Sequence, residues 1–326
     1  MALFDLPLDQ LETYLPDVPE PSDFDAYWKA SLATAEGCPP LLDVQPETTD
    51  LEIVRTWDVT FPGFGGDPIR AWYSRPAGND APLPAVVEFV GYGRGRGLPH
   101  ERLTWVAAGY AHLLMDARGQ GDLYGTGGAT PDPRATALGG PGVMTRGVLD
   151  PADYYYRRLI TDAVRAVGAV RALPGVDPTR VAVVGNSQGG GLALAAAGLV
   201  PDLAAVMVSA PFLCHLQRAI DITDSAPYGE IVNYLSVHRD AEEAVRRTLS
   251  YVDGVSFARR AVAPAHFGAG LRDTVSPPST VFAAYNHYGA EDRTMHVYSF
   301  NHHEGGDAVH TGRQLRWLRS HLAVSA

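Results

Sequence analysis

Residues Val181-Ala-Val-Val-Gly-Asn-Ser187-Gln-Gly-Gly-Gly191 constrain the fold more than any other stretch of this chain. Four apolar residues run into glycine, serine and glycine, and Leu192-Ala-Leu-Ala-Ala-Ala-Ala197 follows as a strong helix former. The pattern predicts a buried strand, a tight turn and a helix start. Gly185-x-Ser187-x-Gly189 has the spacing of a nucleophile elbow. A serine hydroxyl is a weak nucleophile, so it must stand clear of a sheet where a base can reach it. The turn that does this strains the serine backbone, and glycines on either side remove the Cβ atoms that would clash. The competing reading is a glycine-rich turn capped by serine. The flanks weigh against it, because residues 160–173 have helical apolar spacing and end at Pro174-Gly175.

The remainder of the chain fits that unit. Residues 1 to about 50 form a proline- and aspartate-rich N-terminal extension with a helix expected over 23–33. Alternating runs at 51–61 and 69–74 predict a hairpin around Gly63-Phe-Gly-Gly-Asp-Pro68. Strands follow at 85–90, 111–116, 181–185, 204–209, 263–268 and 294–300. Helices are expected at 101–108, 160–173, after Gln188, and at 311–322. Strands alternating with helices imply an α/β protein with a mainly parallel sheet flanked by helices. Residues 212–258 break the rhythm and are expected to form a helical insertion over the sheet. We read residues 1–326 as a single domain, since α/β chains of this length are often one.

Composition removes several classes. The formal net charge is −11, with acids and bases mixed, so no basic patch offers itself to nucleic acid or an anionic membrane. Only Cys38 and Cys214 are present, which excludes a disulfide framework or a cysteine zinc site. The start lacks the basic region and apolar core of a secretion signal, and the expectation is a cytoplasmic protein. Gly91-Tyr-Gly-Arg-Gly-Arg-Gly97 has the wrong spacing for a dinucleotide loop. No cofactor and no metal are expected.

A serine nucleophile needs a histidine base and a carboxylate to orient it, here in the chain order Ser, Asp or Glu, His. Only His302 and His303 follow the last strand in a turn, Asn301-His-His-Glu-Gly-Gly306, and position favours His303. Asp273 lies just past a strand, in a loop that Pro277 and Pro278 can fix. Asp253, in the insertion, Asp292, before the last strand, and Asp307, past the histidines, compete with it. A second oxyanion donor besides the Gln188 N–H is expected in Gly91-Tyr92-Gly93, after the strand ending at Val90. Arg118, in Arg118-Gly-Gln-Gly121, reads as structural, tying loops together through bidentate hydrogen bonds.

Arg118-Gly-Gln, Gly185-Asn-Ser-Gln-Gly189 and His303-Glu304, in that order and spacing, resemble the three signatures of carbohydrate esterase family 7. These are the acetyl xylan esterases and cephalosporin-C deacetylases. The resemblance runs along nearly the whole chain, from Phe4-Asp-Leu-Pro-Leu and Pro21-Ser-Asp-Phe-Asp-Ala-Tyr-Trp28 to Pro211-Phe-Leu-Cys214 and Pro277-Pro-Ser-Thr280. It implies an α/β-hydrolase fold with Ser187 as nucleophile, Asp273 as acid and His303 as base. The N–H groups of Tyr92 and Gln188 would form the oxyanion hole. It further implies a serine esterase that removes acetyl groups from acetylated sugars or xylo-oligosaccharides and from cephalosporin C. Members of the family assemble as hexamers, on the order of 210 kDa for this chain. Two positions depart from the pattern: His302 replaces the usual glycine before His-Glu, and Ser276 stands where many members carry cysteine. Two rivals stay open: another serine hydrolase on the same fold, a peptidase or thioesterase, and a non-catalytic binding protein.

Overall fold

The structure, a computed structural model, describes residues 4–134 and 142–323. Its sheet has nine strands: β1 (Asp43–Glu47), β2 (Val54–Pro62), β3 (Pro68–Pro76), β4 (Leu83–Phe89), β5 (Ala111–Met115), β6 (Val176–Asn186), β7 (Ala205–Ser209), β8 (Ala265–Gly270) and β9 (Arg293–Tyr298). Their order across the sheet is β1-β2-β3-β5-β4-β6-β7-β8-β9. The first three strands join antiparallel, ending in the β3–β5 pair; from β5 to β9 every pairing is parallel.

The parallel strands are apolar runs because both faces of the sheet are covered. Side chains alternate between the faces. Val87, Val183, Val206 and Val208 join the larger core, under the helices Tyr155–Ala172 and Gln188–Leu199. Val86, Ala182, Val184, Ala205 and Met207 meet Leu318 and Leu322 at the end of the C-terminal helix, Asp307–His321, on the other face. Residues Gln188 to Ala197 are buried all round, as a helix between a sheet and further helices must be.

Four α-helices lie between β7 and β8: Leu216–Ile222, Tyr228–Val237, Glu242–Ser250 and Gly254–Ala258. The N-terminal helix Phe24–Ala33 packs beside them. Its Trp28 indole N–H donates to the Tyr251 carbonyl at 2.9 Å, and Phe24, tilted, and Trp28, edge-on, both pack against Phe257.

Some elements differ from the sequence expectations. β1 went unforeseen because it is an edge strand that contains Pro46 and buries no residue fully. The helix Pro278–His287 was hidden by Pro277-Pro278, yet proline suits the first helical position, where its missing N–H is no loss. The helix expected over 101–108 is confined to Thr104–Ala107, and the C-terminal helix begins four residues early, at Asp307. Among the described residues no helix is long and apolar enough to cross a membrane, and no group of His, Cys, Asp and Glu is arranged to hold a metal.

The C-terminal helix brings an acid-sensitive cluster onto the sheet. The buried His266 ring of β8 lies 4.7 Å from that of His296, 5.0 Å from that of His310 and 5.4 Å from the indole of Trp317. Neither His266 ring nitrogen has a hydrogen-bond partner among the described residues. Burial, with repulsion from His310 and His296, pushes His266 down to about 3, and burial pushes His310 down to about 4. Folded values below the unfolded one mean that the unfolded chain takes up protons first as the solution is acidified. The stabilising contribution is therefore full above about pH 6.5 and is lost as pH falls toward the folded values, by at most about 1.4 kcal/mol per pH unit for each histidine. Melting temperatures should fall between pH 6.5 and 4, and the fall should be shallower in His266→Phe. Parallel curves for the two proteins would contradict this account of the cluster.

Candidate active site

Ser187 joins β6 to the helix Gln188–Leu199 with φ +56° and ψ −122°, a conformation that costs on the order of 1–3 kcal/mol. Its surroundings hold it there. The Ser187 N–H donates to the Ser209 carbonyl at 3.0 Å, and its own carbonyl accepts from Gly191 at 3.0 Å and Phe212 at 2.9 Å. The glycines are a steric requirement: a Cβ at Gly185 would lie 2.1 Å from the Gly189 backbone, and one at Gly189 would lie 2.1 Å from the Phe89 carbonyl oxygen.

β8 and β9 end at the same carboxyl edge as β6, and their loops carry the acid and the histidine. Asp273 is almost wholly buried; its Oδ1 accepts the N–H groups of Val275 at 2.8 Å and Ser276 at 2.9 Å. Its Oδ2 lies 2.8 Å from His303 Nδ1. An ionised carboxylate can only accept, so a neutral imidazole in this position would carry its proton on Nδ1 and leave a lone pair on Nε2. Among the described residues no hydrogen bond joins Ser187 Oγ to His303; the structure pairs Asp273 with His303 and sets Ser187 at the same edge of the sheet.

The competing residues are engaged elsewhere. Asp253 caps the helix Gly254–Ala258 and accepts the N–H groups of His215, Leu216 and Val255. Asp292 pairs with His321, and Asp307 is an exposed residue opening the C-terminal helix. His302 turns away from Asp273, with its Nδ1 2.9 Å from the Arg272 carbonyl, so the second imidazole does not occupy the position facing the acid. Glu304 closes this turn by accepting the His302 N–H at 3.0 Å and the Asn301 amide at 2.7 Å. The Ser276 N–H serves Asp273, while its buried hydroxyl has no partner among the described residues.

Tyr92 lies in the loop after β4, and Gln188 follows the serine. Neither backbone N–H donates a hydrogen bond among the described residues, so both are free to donate. A buried amide holds the two segments together. Gln120 Oε1 accepts the Gly93 N–H at 2.7 Å, and its Nε2 donates to Gln188 Oε1 at 2.9 Å and to the Tyr155 hydroxyl at 2.8 Å. Tyr156 also donates to Gln188 Oε1, at 3.0 Å. Gln120 stands in the Arg118-Gly-Gln signature, but the sequence assigned it no role, and Tyr155 and Tyr156 carried no signal of their own.

Arg118 is fully buried. It grips Asp162 with two hydrogen bonds, at 2.6 and 2.7 Å, and reaches Asp67 at 3.0 Å. That geometry neutralises a buried carboxylate and leaves the guanidinium no free face for an anionic substrate. A cavity of about 590 Å³ lies behind the edge of the sheet, on the face of the C-terminal helix, with Glu88, Asn186, Ser209, Glu304 and Gln314 in its wall. It touches the neighbours of Ser187 and His303 but neither of those residues.

A family model for acetyl xylan esterases matches residues 1–321. The chain is 40% identical to an acetyl xylan esterase from Paenibacillus sp. R4, covering 97% of this chain and 100% of that one with a TM-score of 0.91. It is 33% identical to acetyl xylan esterase 1 from Thermoanaerobacterium sp. JW/SL YS485, covering 97% and 99% with a TM-score of 0.87. Acetyl esterase Axe7A of Xylanibacter ruminicola is 28% identical over 320 residues, which are 95% of this chain and 70% of that protein. An elbow serine, a paired acid and imidazole, and a match that spans the chain lead to one conclusion: it belongs to the acetyl xylan esterase family and is a carboxylic ester hydrolase of the α/β-hydrolase fold.

Proposed function

We propose that this enzyme removes acetyl groups from acetylated sugars or xylo-oligosaccharides by two-step acyl transfer. His303 Nε2 takes the proton as Ser187 Oγ attacks the acetyl carbonyl. The N–H groups of Tyr92 and Gln188 hold the oxyanion, and Asp273 keeps the imidazole in the tautomer that can accept. The sugar oxygen leaves with the proton from His303, and water then releases acetate by the same steps in reverse roles. The observation that carries this reading is the 2.8 Å Asp273–His303 bond at the sheet edge where the strained Ser187 stands. An oxyanion donor of this kind contributes about 3 kcal/mol to the transition state.

The test is acetate release from acetylated xylo-oligosaccharides, cephalosporin C and an aryl acetate. Turnover of all three is expected, with the rates ranking the alcohols. Cleavage of peptides or long-chain thioesters in preference to acetyl esters would overturn the reading. We also propose a hexamer, which light scattering would register as six copies of the 34.9 kDa chain.

A further inference from the structure

Glu230 stands in the first turn of the helix Tyr228–Val237, between β7 and β8, 138 residues from Tyr92. Its Oε1 accepts the Tyr92 hydroxyl at 2.6 Å, and its Oε2 accepts the Met144 N–H at 3.1 Å. The Tyr92 hydroxyl in turn accepts the Val143 N–H at 2.7 Å. Three distant segments thus close into one ring of hydrogen bonds. The fit is close: a Cβ at Gly142, where φ is +92°, would fall 2.2 Å from both Glu230 oxygens. The Tyr92 ring also meets Phe212 edge-on, with centroids 6.4 Å apart, and the Phe212 N–H holds the Ser187 carbonyl.

An acid in a first helical turn is favourable wherever it points. That accounts for the charge of Glu230 but not for its aim. Partial burial pushes its carboxyl above the ordinary range, and such a group is kept only where hydrogen bonds offset its lost hydration. The Tyr92 side chain is thus held at its hydroxyl by partners from two other segments.

We propose that Glu230 is a positioning residue for the oxyanion hole: by clasping the Tyr92 hydroxyl it sets the direction of the Tyr92 N–H, so the helices between β7 and β8 govern transition-state binding. This rests on the reading of Tyr92 as an oxyanion donor. A donor displaced by a fraction of an ångström binds the tetrahedral oxygen less well than before, while ground-state binding hardly changes.

The experiment compares Glu230→Ala, Tyr92→Phe and the double variant in kcat, KM and affinity for phenylboronic acid, whose tetrahedral adduct puts an oxygen in the hole. Each single variant should lower kcat roughly 10- to 100-fold with KM nearly constant, and boronate affinity should fall in parallel. The double variant should be no worse than either single one, because both cut the same clasp. If Glu230→Ala folds poorly, Tyr92→Phe removes only a hydroxyl and carries the kinetic and boronate comparison. A lower melting temperature with kcat and boronate affinity unchanged would reduce Glu230 to a structural residue and overturn the proposal. So would losses that add in the double variant. Hydrolysis that survives Ser187→Ala would instead overturn the underlying mechanism.

Discussion

Ser187→Ala is expected to lower kcat for an acetyl ester by on the order of 10⁴- to 10⁶-fold, with KM little changed and the fold intact. The size of the loss follows from the two-step route: without Oγ there is no acyl-enzyme, and what remains is water attack assisted by the oxyanion donors. The variant should fold because alanine keeps the Cβ and every backbone hydrogen bond of the turn, to the Ser209 carbonyl and from the Gly191 and Phe212 N–H groups. It meets the same strain at φ +56° as serine does. Steady-state kinetics beside a melting curve checks both halves. A loss below about tenfold would mean that another group attacks the carbonyl.

Asp273→Asn is expected to cost about 10⁴-fold in kcat, and the hydrogen bonds around Asp273 say why. The N–H groups of Val275 and Ser276 both point at Oδ1, so an amide at this position must present its oxygen to them. Its NH₂ group then faces His303 Nδ1, which has to accept rather than donate. The ring proton moves to Nε2, and the base can no longer take a proton from Ser187. A variant that keeps the melting behaviour of the wild type but loses activity fits this account. Activity within tenfold of wild type would show that the Asp273–His303 bond does not set the tautomer.

How much of this was legible in the sequence depends on whether the cause was local. The elbow was, because strand, turn and helix write their demands into adjacent residues, and the steric need for Gly185 lies within a few positions of Ser187, although that for Gly189 comes from the Phe89 carbonyl of β4. The Asp273–His303 pairing was expected from chain order together with the family resemblance, since loops after parallel strands share one edge of the sheet; chain order alone left Asp253, Asp292, Asp307 and His302 open. Gln120 and Glu230 were not legible: Gln120 meets Gln188 across 68 positions, and Glu230 meets Tyr92 across 138. A glutamine in a loop or a glutamate in a helical first turn has many ordinary reasons to be there, so only the folded chain shows what it faces. β1 was missed for a different reason: it is held by backbone pairing to β2 and buries no side chain fully, so it leaves no hydrophobic period.

The proposed mechanism passes through a covalent acetyl-serine, and trapping that species tests it most directly. The enzyme would be mixed with an aryl acetate, quenched in acid within the first turnovers, digested and mapped by mass spectrometry. The expected result is an acetyl group on the peptide carrying Ser187, absent from Ser187→Ala and lost when the enzyme is left to turn over before quenching. Turnover with no acetylated peptide, or acetyl on another residue, would contradict the central claim.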